Sequence, residues 1–180
     1  RRGYDIAWMQ EHYPRTLAYL RQFEDVLKSR ATYRRYFKPN TPFYTMFDIG
    51  TYTFAKVKVV WKGFGLNQMR ATVITTQENQ PIMTNQAMHP FIGLDNEDEA
   101  HYLAACLNSV PFELAVLSHA QAGSRSFAQP GILTELRLPR YQPDDAVHRQ
   151  LAALSRHAHT GEVDDAAIAV AAAQVWGLSP

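Results

Sequence analysis

The sequence predicts an α+β fold: a small mixed or antiparallel sheet flanked by helices, with a helical segment at the C-terminus. Three observations lead there. Stretches with helical spacing bracket a central stretch of alternating, β-branched and aromatic character, and the two kinds are grouped rather than interleaved. Of the 180 residues 46% are hydrophobic and 19% charged, the balance of a chain that builds a core. No apolar run approaches the roughly 18 residues that a membrane-spanning helix needs. The expected parts are a leading helix and linker over residues 1–40, an α+β core over 41–142 and a helical pair over 143–180 packing on that core.

In chain order, "EHYPRTLAYLRQFEDVLKSR" reads as a helix, with Pro14 in the first turn and Leu17, Leu20, Phe23 and Leu27 on one face. "ATYRRYFKPNTP" reads as a loop because two prolines and an asparagine interrupt the pattern. "FYTMFDIG" is strand-like and ends on Gly50. "TYTFAKVKVVWK" alternates from residue 56 to 59 and reads as a strand, as do "MRATVITT" and "AMHPFIGL", the last an edge candidate because of Pro90. "LDNEDEAHYLAACLNS" starts a helix at Asp95 or Asn96, with acids in the first turn where the helix dipole favours them, and buries Tyr102, Leu103, Cys106 and Leu107. A second helix follows from "VPFELAVLSHAQ", then a polar loop "AGSRSFAQPG" and a closing strand "ILTELRLPRY". "DDAVHRQLAALSRHAHTG" is a helix stopped by Gly161, and "DDAAIAVAAAQVWG" a last helix anchored by Trp176.

Charge divides the chain. Residues 1–70 hold 13 Lys and Arg against 5 Asp and Glu, a net +8, whereas residues 71–180 hold 5 against 12, a net −7. A basic surface for a polyanion is one reading, and mutual neutralisation of the halves across a shared core is the other. The single cysteine, Cys106, excludes an internal disulfide, fits a reducing cytoplasm and sits on a helix stripe as a core residue. The seven histidines are scattered; His157 and His159, two apart, face different sides of a helix, and no metal-binding spacing such as H-E-x-x-H occurs. No nucleophile elbow is present. The opening "RRGYDIAW" has neither a signal peptide nor an initiator Met, which suggests a piece of a longer protein.

Several stretches together resemble the C-terminal specificity (target-recognition) domain of adenine-N6 DNA methyltransferases, including the combined enzymes of type II restriction–modification systems. They are "PRTLAYLRQFEDVLKSR", "PFYTMFDIGTYTFAKVKVVWK", "EDEAHYLAACLNS" with "VPFELAVLSH", and "SRSFAQPGILTELRLPRY" followed by "HRQLAALSRHAH". Their order and spacing carry the resemblance, which covers roughly residues 13–178. It implies a domain that recognises double-stranded DNA in a bacterial enzyme, beside an N-terminal methyltransferase domain of the same polypeptide. The family's catalytic tetrapeptide, Asn/Asp-Pro-Pro-Tyr/Phe, is absent; "PNTPFY", residues 39–44, does not match it. Nor does a glycine-rich loop follow any expected strand, so the resemblance puts S-adenosylmethionine in the other domain and leaves this chain without a cofactor. Whether to count the chain as an enzyme stays open on these grounds.

On that reading, Val57, Val59 and Trp61 form a packed strand face while Lys56, Lys58 and Lys62 reach DNA phosphates. The alternative is a solvated or lysine-guarded strand, and for Lys58, inside the stretch of strongest resemblance, a structural partner. Asn67, Gln68 and Arg70 are side chains of the types that read adenine and guanine, in a turn that could equally be plain solvent-exposed loop. Ser124, Arg125 and Ser126 beside Gly123 could clamp a phosphate or end a helix. Arg34 and Arg35, among three aromatics, could follow a backbone, stack on a displaced base or form a packed linker. A rival function is a protein-interaction or scaffold domain in a multi-subunit assembly, with the charge asymmetry serving assembly.

Overall fold

The computed structural model describes residues 3–63, 69–84, 90–119, 131 and 136–178. Among them are eight α-helices and one three-stranded antiparallel sheet, so the fold is α+β. Among the described residues no single helix is long and apolar enough to cross a membrane. The chain forms two compact units, Arg1–Thr51 and Tyr52–Pro180.

The first unit is helical. Its helices are α1 (Ile6–His12), α2 (Pro14–Arg21), α3 (Glu24–Ser29) and α4 (Ala31–Tyr36). Asp5 caps α1 by accepting from the N–H groups of Ala7 and Trp8, and Pro14 opens α2 where its missing N–H is harmless. The single long helix expected over residues 11–30 is three shorter ones, broken around Tyr13 and at Gln22–Phe23. The apolar spacing nevertheless finds its core, where Met9, Leu17 and Phe43 are buried with Trp8, Leu20 and Leu27 against them.

Two expectations are corrected here. "ATYRRY" is helix α4, not loop. Tyr33 turns inward, its hydroxyl donating to the Thr41 carbonyl. "FYTMFDIG" is not a strand: Thr45 N–H closes a turn on Pro42 O, and Asp48 adopts a left-handed φ of 55°. The Arg30 guanidinium ties the segment to the helices, donating to Leu27 O at 2.8 Å and to Phe43 O and Thr45 O at 2.9 Å each. These ties carry the unit past residue 40 to Thr51.

A 3-10 turn, Thr51–Phe54, leads into β1 (Val57–Trp61). β2 (Ala71–Thr75) and β3 (Phe91–Leu94) pair with β1 on either side, in the order β2-β1-β3. Between β2 and β3, Gln77 and Gln80 bond reciprocally across Glu78 (φ 49°) and Asn79 (φ 62°), the two left-handed residues that a type I′ turn requires. Gly93 is needed on β3, since a Cβ there would lie 2.8 Å from Ala55 Cβ and 3.0 Å from the Tyr52 carbonyl. The closing strand expected at 132–141 is not seen in its described part, 136–141, which is irregular.

One sheet face packs on α5 (Glu97–Leu107) and α6 (Val110–His119). Val57, Val59, Trp61, Ala71 and Val73 meet Ala100, Ala104, Leu107, Phe112 and Val116 in one core. Asn96, not Asp95, caps α5, accepting from the N–H groups of Asp98 and Glu99, with three acids in the first turn. The reverse side of α5, including Tyr102, Ala105 and Cys106, packs on α7 (Ala146–His159) and α8 (Asp165–Val175). Helix α5 is therefore buried on two sides, beyond the single stripe its sequence suggests. Cys106 is in the core, and burial pushes its thiol pKa up to about 12. α7 ends before Gly161, whose φ is +98°, and Trp176 is partly buried against both clusters.

Candidate nucleic-acid interface

The strand that raised the question of DNA contact has no open face. All five residues of β1 are buried. Lys58 is 1% exposed, and its Nζ donates to Ala55 O at 2.7 Å and Ile82 O at 3.0 Å, 5.7 Å from the Phe91 ring centroid. The register explains why: Lys58 lies between Ile74 and Gly93, and the missing Gly93 side chain lets the chain around Ala55 close over this face. Burial lowers the lysine's pKa from its ordinary value. Lys58 is thus a tie between the turn before β1 and the loop after β2. The expectation that it reaches a phosphate is corrected, because its ammonium is enclosed and already donates to two carbonyls.

Lys56 and Lys62, just outside the two ends of β1, are exposed. The five residues of β1 separate them, six steps of extended chain or about 20 Å at roughly 3.3 Å per step. Arg70 is exposed as well, immediately before β2. The pairing of Trp61 with Ala71 makes Lys62 and Arg70 neighbours at one end of the β1–β2 pair. Two cations thus flank the connection that contains Asn67 and Gln68. Those two residues, and Ser124, Arg125 and Ser126, lie outside the described residues.

The free edge of β2 is covered from the helices. Asn108 Oδ1 accepts from Ala71 N–H at 2.7 Å while its Nδ2 donates to Ala71 O at 2.8 Å, reproducing the bonds a neighbouring strand would make. His159 Nε2 accepts from Val73 N–H at 3.0 Å, and its Nδ1 lies 2.8 Å from Ser155 O. A neutral imidazole protonated on Nδ1 satisfies both contacts. Beside it His101, buried between α5 and α7, has its pKa lowered from 6.5 to about 4, first by burial, then by His159 and Arg156. These polar groups brace the fold. Among the described residues no group of three His, Cys, Asp or Glu is placed to hold a metal ion.

In the first unit, Arg34 and Arg35 are exposed on α4. The Arg35 guanidinium lies 5.3 Å from the centroid of the Tyr36 ring, which stacks on Phe47 at 4.4 Å and 23°. The only sequence signal for the Tyr36–Phe47 stack was the density of aromatic residues on both sides of "KPNTP". Ion pairs join Lys28 to Glu24 and Arg156 to Glu97 and Asp98. Lys56, Lys62, Arg34 and Arg35 take no part in them.

No family model, curated protein or solved structure matches this chain.

Proposed function

We propose that the chain is the double-stranded DNA recognition domain of an S-adenosylmethionine-dependent adenine-N6 methyltransferase of restriction–modification type. Methyl transfer is assigned to a catalytic domain that residues 1–180 do not contain. The observation that carries the DNA reading is the placing of the exposed Lys62 and Arg70 just beyond the paired ends of β1 and β2, with Lys56 at the far end of β1. Phosphate contacts of this kind position a duplex, and the sequence joining the two cations contains Asn67 and Gln68, side chains of the types that read bases. The family assignment rests on the sequence resemblance.

The test is binding of a random duplex of about 30 base pairs by fluorescence anisotropy across a salt series. Each lost phosphate contact lowers the slope of log K against log salt by about 0.9. Lys56→Ala and Lys62→Ala are each expected to flatten it by that amount. Binding that ignores salt would sink the DNA reading.

One observation favours the scaffold alternative. Val110, Leu114 and Leu117 share one face of α6 and are exposed, Leu114 at 62%. An assembly partner would cover such a stripe, and salt-insensitive capture of a second subunit would support it.

A further inference from the structure

The first unit contains a cleft of about 870 Å³ that the duplex reading does not use. Tyr36, Phe37 and Phe47 form its aromatic wall, and Lys38, Asn40 and Asp48 are among its polar residues. The wall is built rather than incidental. Inward-turned Tyr33 and its bond to Thr41 fold residues 37–42 back along α4. The chain then returns Phe47 onto Tyr36 and sets its ring 6.5 Å from Phe37 at 72°. Both stacked rings stay accessible, Tyr36 at 51% and Phe47 at 44%. Large apolar rings left in water beside exposed cations are the elements of a site that stacks a base and holds its phosphate.

From this geometry we infer that the cleft takes an unpaired nucleobase on a strand of nucleic acid. The rings supply the stacking surface. Arg34, Arg35 and Lys38, all exposed, supply the positive charge for the flanking phosphates. Asn40 brings an amide, the group that pairs with the N6/N7 edge of adenine. An aromatic wall can also hold an organic cation, and Asp5 and Asp48 both line this cleft. The Asp5 carboxylate is engaged in capping α1, however, while Lys38 lines the same cleft and the Arg35 guanidinium already lies by the Tyr36 ring, which weighs against a cation. The inference is independent of Lys56, Lys62 and Arg70, and so of whether the second unit binds duplex.

The full chain is titrated into an oligo-dT of about 12 nucleotides carrying one central 2-aminopurine, whose fluorescence falls when the base stacks on an aromatic ring. Binding with quenching is expected. Tyr36→Ala and Phe47→Ala should each weaken it by about 5- to 150-fold, the range for losing one base–aromatic stack. Both side chains are accessible, and an unchanged thermal midpoint verifies folding of each variant. Tyr36→Phe, which keeps the ring, should bind like the parent whatever the alanine variants do to stability. Lys38→Ala should flatten the salt dependence without abolishing quenching. Binding without quenching, or quenching that survives both alanine variants, overturns the inference. So does a trimethyl-lysine peptide displacing the oligonucleotide where deoxyadenosine monophosphate does not. Duplex binding that fails while Tyr36-dependent quenching persists would sink the proposed function and keep this site; the converse would do the reverse.

Discussion

Replacing Lys58 by Met separates a structural lysine from a DNA-contacting one. Methionine keeps most of the buried stem and removes the ammonium. Ala55 O and Ile82 O then lose donors at 2.7 and 3.0 Å. A fully buried acceptor left without its donor costs about 1–3 kcal/mol, and these two, which are partly buried, lie toward the lower end. Part of the cost for two such carbonyls is returned, because a charge no longer has to be held away from water. The net expectation for Lys58→Met is a loss of about 2 kcal/mol, a balance of those terms. Lys58→Ala also leaves the volume of the stem empty and should cost about 4 kcal/mol. Urea unfolding at pH 7 reads both as lower midpoints at unchanged m. Lys56→Ala and Lys62→Ala, at exposed positions, should stay within about 0.5 kcal/mol of the parent. The duplex salt slope should show the opposite pattern, flattened by the two exposed lysines and untouched by Lys58→Met. A Lys58→Met protein that unfolds at the parent's midpoint and flattens that slope would refute the assignment of Lys58 as a tie.

Three further outcomes are expected. The His101 pKa of about 4 lies below its unfolded value of 6.5, so the unfolded chain takes up the proton first. Its contribution is therefore complete above pH 6.5 and is lost as the pH falls from there toward 4, by about 3 kcal/mol at roughly 1.36 kcal/mol per unit; urea midpoints taken over that window should fall for the parent and fall less for His101→Gln. Asn108→Ala strips two bonds from the edge of β2 and should cost about 1–2 kcal/mol, while Asn108→Asp keeps the acceptor and loses the donor to Ala71 O, both measurable by chemical denaturation. Arg30→Ala frees three carbonyls of the first unit and should cost about 2–4 kcal/mol, with hydrogen exchange rising in residues 3–51 before it rises in the sheet.

The parts of the fold that were legible in the sequence are those fixed by neighbouring residues. Asn96 followed by Glu97, Asp98 and Glu99 marks the start of α5 within one turn, because a cap side chain and first-turn acids act on the adjacent N–H groups. Val57, Val59 and Trp61 alternate and are buried on one core as the alternation implies. The α+β class follows from the grouping of such local patterns. The break of the leading helix at Gln22–Phe23 carries a weak local signal and was missed.

What only the tertiary structure decided depends on partners far along the chain. "FYTMFDIG" has the composition of a strand, but both sides of β1 are taken by β2 and β3, and Arg30 binds Phe43 O and Thr45 O from 13 and 15 residues away. The β2 edge looks open in sequence and is closed by Asn108 and His159, 37 and 86 residues from the groups they bind. The candidate site divides in the same way. Lys56 and Lys62 read as exposed cations and are exposed, because they fall just beyond the strand ends. Lys58 follows the same alternation yet is enclosed, since a glycine on the next strand lets the turn before β1 close over it and a loop 24 residues on supplies a second carbonyl. Alternation along a strand assigns side chains to one face or the other; whether a face meets solvent depends on what the rest of the chain lays across it, and that was decided by carbonyls at residues 55 and 82.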